Sequence, residues 1–238
     1  MVAAADAGSS GSKKRSVKPR IAEMIVGALI AAACPAMAPA AGWEKRAPLP
    51  VPNGGFVAAS LGGRIVIAGG TTWDGDTKRW LSQIWIYDPG TDRWSEAGRL
   101  PSALAYPASV QVGDTLWWAG GSSGETTHRA LWTLGGDLAP RLVSRLTEGF
   151  VYAAAAAVGL ELHVVGGTDD QAALDRVSRR FRSIDLKTGR VTELPPYPEA
   201  GLTTGTAVAV DGRILVFGGA RWDATARTVI NHAAAHAY

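Results

Sequence analysis

The chain has 238 residues, 47% of them apolar, with 29 glycines and 9 tryptophans. Its net charge of +3 comes from the amino terminus: five of the 24 basic residues and two of the 21 acidic ones fall in 1–42, leaving 19 of each sign in 43–238. That neutral remainder excludes a nucleic-acid-binding surface, which needs clustered positive charge, and its length suits one large all-β domain or two small ones.

Residues 1–42 read as an export leader. Lys13–Arg20 is a basic segment, Met24–Ala33 an apolar run of ten, and Ala36-Met37-Ala38 and Ala38-Pro39-Ala40 are small-x-small cleavage candidates. The run falls short of the ~20 residues of a membrane span. Cys34 is the only cysteine and lies inside this leader. Ala31 before it and Pro35 after it do not make a lipid-anchor signal. The mature chain is therefore expected without a membrane span, a disulfide or a cysteine-based metal site, in the periplasm or outside the cell.

From residue 43 onward the chain repeats. Arg64–Gly70 (RIVIAGG), Thr115–Gly121 (TLWWAGG), Glu161–Gly167 (ELHVVGG) and Arg213–Gly219 (RILVFGG) end alike, their second glycines 51, 46 and 52 residues apart. A short strand of small and apolar residues precedes each: Phe56–Leu61, Ala108–Val112, Tyr152–Val158 and Thr206–Val210. The two strands are joined by Gly62-Gly63, Gly113-Asp114, Gly159-Leu160 or Asp211-Gly212, pairs suited to a tight hairpin.

The first unit continues with a third strand over Ile84–Tyr87, a turn over Asp88–Arg93 and a fourth strand over Trp94–Ala97. The third unit repeats this with Phe181–Asp185 and Val191–Leu194. The second is shorter, with strands at 131–134 and 141–143. Four strands per ~50-residue repeat predict an all-β propeller. Blades are expected over 51–101, 102–147, 148–198 and 199–238. Trp43–Pro50 matches Trp94–Pro101 in its W-x5-L-P register, so it reads as a closing outer strand. Tyr238 aligns with Tyr87. The fourth blade thus lacks an outer strand, and 43–50 either completes a four-bladed ring or belongs with a further blade of a longer, six-bladed propeller.

The double glycines, Tyr87-Asp88-Pro89 and Trp94 resemble the kelch motif of β-propellers, and the resemblance covers about 43–238. Leu49–Trp73 also resembles the opening blade of bacterial kelch proteins related to N-acetylneuraminate mutarotases. Galactose oxidase has a similar propeller, but its Cys–Tyr cross-link has no cysteine here to form it. The resemblance implies a sugar mutarotase or epimerase without cofactor or metal. The repeats alone equally suit a non-catalytic module that binds a glycan or a protein, and a truncated, inactive propeller.

In a propeller the loops from fourth strand to first and from second strand to third emerge on one face. Mutarotation needs a base for the anomeric hydroxyl proton and an acid for the ring oxygen. Glu148 and Glu199 are candidates for these roles, and Arg180 or Arg221 for a bidentate clamp on a sugar carboxylate. Asn53, Trp73, Asp74, Tyr106, Trp222, Asn231 and His232 are candidates for substrate contact. Trp73-Asp74 and Trp222-Asp223 lie at matching places after their double glycines. Glu148, Glu199 and Arg180 also read as solvated loop residues, and the tryptophans as packing over a blade edge. His163 reads as a packed core histidine. His232 and His236 are expected on one side of a strand without an acidic partner, which argues against a metal.

Overall fold

A computed structural model describes residues 42–238. It divides into two compact units, Met1–Glu44 and Lys45–Tyr238. Of the first only 42–44 are described, and they carry no helix or strand. The expected leader and Cys34 lie outside the described residues. Among those described, no helix is long and apolar enough to cross a membrane.

The second unit is built from four antiparallel blades. Blade one holds β1 (Val57–Leu61), β2 (Arg64–Ala68), a β3–β4 hairpin (Thr71–Asp74, Thr77–Trp80), β5 (Gln83–Asp88) and β6 (Arg93–Arg99). Blade two holds β7 (Ala108–Val112), β8 (Thr115–Ala119), β9 (Ala130–Leu134) and β10 (Arg141–Arg145). Blade three holds β11 (Ala154–Val158), β12 (Glu161–Val165), one 3-10 turn (Leu174–Arg176), β13 (Phe181–Asp185) and β14 (Val191–Leu194). Blade four holds β15 (Thr206–Val210), β16 (Arg213–Phe217), a β17–β18 hairpin (Ala220–Asp223, Thr228–Asn231) and β19 (Ala235–Ala237).

The first three blades are four-stranded sheets and the fourth, among the described residues, has three strands in the order β15-β16-β19. Their inner hairpins have the expected two-residue turns; Gly62 and Gly63 both take positive φ, 56° and 74°, as a type I′ turn requires. The β3–β4 and β17–β18 hairpins fall inside loops and were not expected. Ile214 and Tyr238 exchange backbone hydrogen bonds at 3.0 and 2.8 Å, just as Ile65 pairs with Tyr87 in blade one.

The blades stack face to face, and three apolar clusters sit between neighbours. The first joins Val57, Leu61, Ile84 and Ile86 of blade one to Leu116, Trp118 and Leu134 of blade two. The second joins blades two and three through Ala108, Leu131, Leu162, Val164 and Ile184. The third joins blades three and four through Ala154, Val165, Phe181, Ile214 and Val216. Small residues in β7 and β11 allow this close stacking.

The double glycines stitch one blade to the next. Gly70, Gly121 and Gly167 donate backbone hydrogen bonds to Leu104, Phe150 and Leu202, each in the loop that opens the following blade, at 2.6, 2.8 and 2.7 Å. The preceding glycines sit so close that a Cβ at Gly69, Gly120 or Gly166 would run into the same three carbonyls. A second ladder links the loops that open successive blades: Tyr106, Tyr152 and Thr204 donate in turn to Gly55, Tyr106 and Tyr152 at 2.8, 3.2 and 2.9 Å. All four of these residues have positive φ.

Residues 45–50 carry no strand, although 43–50 reads in sequence as a closing outer strand. Pro48 and Pro50 remove N–H donors that a strand ladder needs. The segment is tied instead to the outer turn of blade one. The Ala47 amide donates to Asp92 Oδ1 at 2.9 Å, and the Trp94 indole donates to the Ala47 carbonyl at 3.0 Å. The Tyr87 hydroxyl donates to the same Asp92 oxygen at 2.7 Å.

Candidate functional site

A cavity of about 820 Å³ opens between the loops of blades two and three, within the size range of small-molecule sites. One wall is Ser122, Gly124–Thr127 and Arg129, and the other runs through Gly166–Gln171, Ser178 and Arg180. Gln171 clips the two walls together: its Oε1 accepts from Ser122 Oγ at 2.9 Å and its Nε2 donates to the Gly124 carbonyl at 2.7 Å. Arg176 holds Asp169 and Asp170, each at 3.3 Å, and so fixes the far rim.

Glu148 and Arg180, separate candidates in sequence, meet at this cavity. Arg180 Nη1 donates to Glu148 Oε2, and its Nη2 donates to Glu193 Oε1 at 2.5 Å. Both side chains of the Glu148–Arg180 pair remain about half exposed. Behind them lies a residue that the sequence reasoning missed. Arg182 lines the cavity, is only 5% exposed, and lies over the Phe150 ring at 4.7 Å. Its Nη1 is 3.8 Å from Glu148 Oε2, and its buried Nε has no hydrogen-bond partner. Burial, reinforced by the neighbouring Arg180 charge, lowers the guanidinium pKa to about 10. A buried donor left without an acceptor costs about 1–3 kcal/mol.

A signal for Arg182 exists in the repeat. Trp85, Trp132, Arg182 and His236 occupy one sheet position, each opposite the second-from-last residue of its blade's second strand: Ile67, Trp118, Val164 and Val216. Blades one and two place an indole there, whereas blades three and four place a cation or a histidine. Each of the latter faces an acid from the loop that opens its own blade. Arg182 faces Glu148, and His236 Nε2 lies 3.1 Å from Glu199 Oε1. The expectation that His236 lacks an acidic partner is therefore corrected. The partner comes from a loop 37 residues away, beyond the reach of strand periodicity. His236 also packs edge-on against Tyr197, ring centroids 5.2 Å apart.

The remaining candidates are dispersed. Trp73 and Asp74 lie on the β3–β4 hairpin; Trp73 is exposed and Asp74 accepts from Arg79 at 2.6 Å. Arg221 and Trp222 lie in β17, opposite Ile230 and Val229, and Asn231 ends β18. The Asn53 amide donates to the Gly69 carbonyl at 2.8 Å, a brace for the first double glycine. Tyr106 donates to or accepts from Thr71 Oγ1 at 3.1 Å and packs on Tyr152 with ring centroids 4.9 Å apart. Lys78 Nζ stands 4.9 Å from the Tyr106 ring centre. The His232 Nε2 is buried without a partner. None of these residues lines the cavity. His163 lies in β12, half-buried, with burial lowering its pKa. Among the described residues no three His, Cys, Asp or Glu side chains are grouped to hold a metal.

A family model for the kelch motif matches residues 52–101. Kelch-like protein 21 of Danio rerio is 34% identical over 70 residues, 29% of this chain and 11% of its own length. Kelch-like protein 25 of Xenopus tropicalis is 30% identical over 135 residues, 52% of this chain and 21% of its own. The chain thus spans a tenth to a fifth of these curated relatives. The solved structure of YjhT superimposes with a TM-score of 0.72 at 14% identity, covering 83% of this chain and 72% of that one. With the motif, the sheets and the structural likeness in agreement, the fold is a kelch-repeat β-propeller.

Proposed function

We propose that the cavity between blades two and three binds an acidic sugar and that the chain opens and recloses its hemiacetal ring, as an exported mutarotase or epimerase that needs no cofactor. One observation carries the reading: the guanidinium groups of Arg180 and Arg182 both line the 820 Å³ cavity, and Glu148 Oε2 lies beside both. A sugar carboxylate suits such a site, because a planar guanidinium fits it with two parallel hydrogen bonds. Phe150 packs against the Arg182 guanidinium and helps to hold it at the cavity wall.

Glu148 is placed to move the proton. It takes the anomeric hydroxyl proton and returns it to the ring oxygen as the bond from the anomeric carbon to that oxygen breaks. The aldehyde or ketone so formed recloses from either face by the reverse path. Arg180 holds the Glu148 carboxylate in position and keeps it at the cavity mouth. The leader-like residues 1–42 support export, which sequencing the amino terminus of the secreted chain would check.

Anomeric exchange followed by NMR on N-acetylneuraminate and on neutral sugars tests the proposal. Exchange faster than buffer for the acidic sugar, and abolished in Glu148→Gln, is the expected result. Binding without exchange would make the cavity a glycan-binding site of a non-catalytic module. No binding of any sugar would remove the reading altogether.

A further inference from the structure

We infer that Lys78, Tyr106 and Thr71 form a second ligand site, separate from the cavity, that binds an oxyanion: a carboxylate, sulfate or phosphate group. The β3–β4 hairpin of blade one supplies Thr71 and Lys78, and the loop that opens blade two supplies Tyr106. Strand alternation puts Lys78 and Trp80 on one face of the hairpin, and the pairing of Trp80 with Thr71 puts Thr71 there too. That face meets Tyr106. Lys78 Nζ lies 5.1 Å from the centre of the Trp80 ring and 4.9 Å from that of Tyr106. Lys78 is half-buried, and among the described residues no carboxylate pairs with it. Asp74 of the same hairpin is held by Arg79 at 2.6 Å. An ammonium carries three donors, and ring faces attract its charge without accepting hydrogen bonds as an anion does.

The Tyr106 hydroxyl is arranged to donate outward. Thr71 Oγ1 lies 3.1 Å from Tyr106 Oη and 3.2 Å from the Gly54 carbonyl. That carbonyl already accepts the Thr71 amide at 2.7 Å, so the buried Thr71 hydroxyl can turn its hydrogen to Tyr106 without leaving Gly54 unpaired. With Thr71 and Lys78 both donating to the Tyr106 oxygen, its own hydrogen points to a ligand. Burial pushes the Tyr106 pKa up, but the hydrogen bonds from Lys78 and Thr71, with the Lys78 charge, outweigh it and hold the phenol below its usual range. An oxyanion here takes one bond from Lys78 Nζ and one from Tyr106 Oη. Both are charge-assisted, about twice as strong as neutral ones.

Backbone geometry fixes the phenol in place. Tyr106 has a φ of 57°, a left-handed conformation that costs a non-glycine residue about 1–2 kcal/mol. The ladder bond from its amide to the Gly55 carbonyl holds it there. Gly55 leaves room for the ring, since a Cβ at that position would run into it. The half-buried Tyr152 packs on the same ring, centroids 4.9 Å apart. None of Lys78, Tyr106 and Thr71 lines the cavity. Trp80 links the two places: a Cβ at Gly124, in the cavity wall, would come within 2.8 Å of its indole. The oxyanion site stands whether or not the cavity opens a sugar ring.

The test uses the full 238-residue chain, labelled at the tyrosine ζ carbon so that NMR reads each phenol separately; Tyr106→Phe identifies the Tyr106 signal. Sodium phosphate, sodium sulfate and N-acetylneuraminate are titrated in turn at an ionic strength held with sodium chloride. The Tyr106 signal should move saturably, and its ionisation should shift to higher pH, because a bound anion favours the neutral phenol. Lys78→Met, with unchanged circular dichroism, should weaken the anion at least tenfold and raise the Tyr106 ionisation without any anion. Arg182→Met, which disables the cavity, should leave both responses as they are. Movement with phosphate and sulfate alone assigns the site to tetrahedral oxyanions, and movement with N-acetylneuraminate alone assigns it to carboxylates. A Tyr106 signal that no anion moves overturns the inference. So does a response that survives Lys78→Met and is lost in Arg182→Met, which would place the anion in the cavity.

Discussion

Arg182 Nη1 lies 3.8 Å from Glu148 Oε2, yet its buried Nε has no acceptor. The charge is therefore half-satisfied by the protein, at the wall of the cavity between blades two and three. An arrangement tuned for stability alone would pair this guanidinium fully or replace it with an apolar side chain, as blades one and two do with Trp85 and Trp132.

Replacing Arg182 should separate stability from binding. Exchanging a buried, poorly paired charge for an apolar group of similar length is often neutral or stabilising. Arg182→Met is expected to leave the melting temperature unchanged or raise it by a few degrees. The same variant should lose at least tenfold in affinity for a carboxylate ligand, about 1.4 kcal/mol, measured by titration calorimetry. Arg182→Lys, which keeps the charge but lacks the fork, should recover only part of that loss.

Glu148→Gln should divide binding from chemistry. The amide keeps the size of the side chain but cannot accept a proton at neutral pH. A fall of roughly 10²–10⁴ in anomeric exchange is expected, with ligand affinity retained or improved because Arg180 and Arg182 then face less competition for the ligand's carboxylate. Single-turnover NMR beside calorimetry would read both.

The glycine stitch yields a paired prediction. Gly218→Ala should cost about 1–2 kcal/mol, the penalty of a left-handed conformation alone. Gly166→Ala carries the same penalty and also forces a Cβ into the Leu202 carbonyl, so roughly 3–4 kcal/mol is expected. Denaturant melts of the two variants, side by side, would check the difference. Equal costs would show that crowding against the next blade contributes nothing.

The amino-terminal latch on blade one can be tested through Trp94. Trp94→Phe deletes the indole donor to the Ala47 carbonyl while keeping an aromatic ring beside Tyr87. A loss of about 1 kcal/mol is expected, with faster amide exchange at Ala47, whose amide is held by Asp92.

Acid should unfold the propeller through its turn carboxylates. Asp92 is lowered by the Ala47 amide, Asp185 by the Thr188 amide and Asp223 by the Ala226 amide. A carboxylate whose pKa is lower folded than unfolded adds stability above the ordinary range near 3.9. That stability is lost as pH falls through the lowered folded values. Melting temperature should therefore be flat down to about pH 5 and drop below about pH 4. Asp185→Asn should give a smaller drop than the parent chain.

Much of the molecule is legible without coordinates. Tight turns and double glycines recur because short strands of fixed length must reverse at fixed places. Periodicity of that kind is written locally, so the blades and most strand limits follow from it, down to Phe181–Asp185 and Val191–Leu194. The alignment of Tyr238 with Tyr87 follows the same way. What local pattern misjudged is instructive too. The likeness of 43–50 to 94–101 outweighed its prolines, which deny it a strand ladder, and Ala47 is held instead by Asp92 and Trp94 of blade one.

The site belongs to tertiary structure. Glu148 and Arg182 are 34 residues apart and come from a loop and a strand, and Glu199 and His236 are 37 apart. Only the stacking of blades decides which loops face one another, so the sequence placed candidates on a common face but could not select among them. It put Trp73, Asp74, Arg221 and Trp222 beside Glu148 and Arg180, and the fold sends the first four to two separate hairpins. Arg182 itself reads as a strand residue, because burial without a partner depends on what neighbouring blades exclude. Residue type and spacing determine the repeat; the distance between repeats, set by glycines and small side chains at their contacts, determines where a charge is left unanswered.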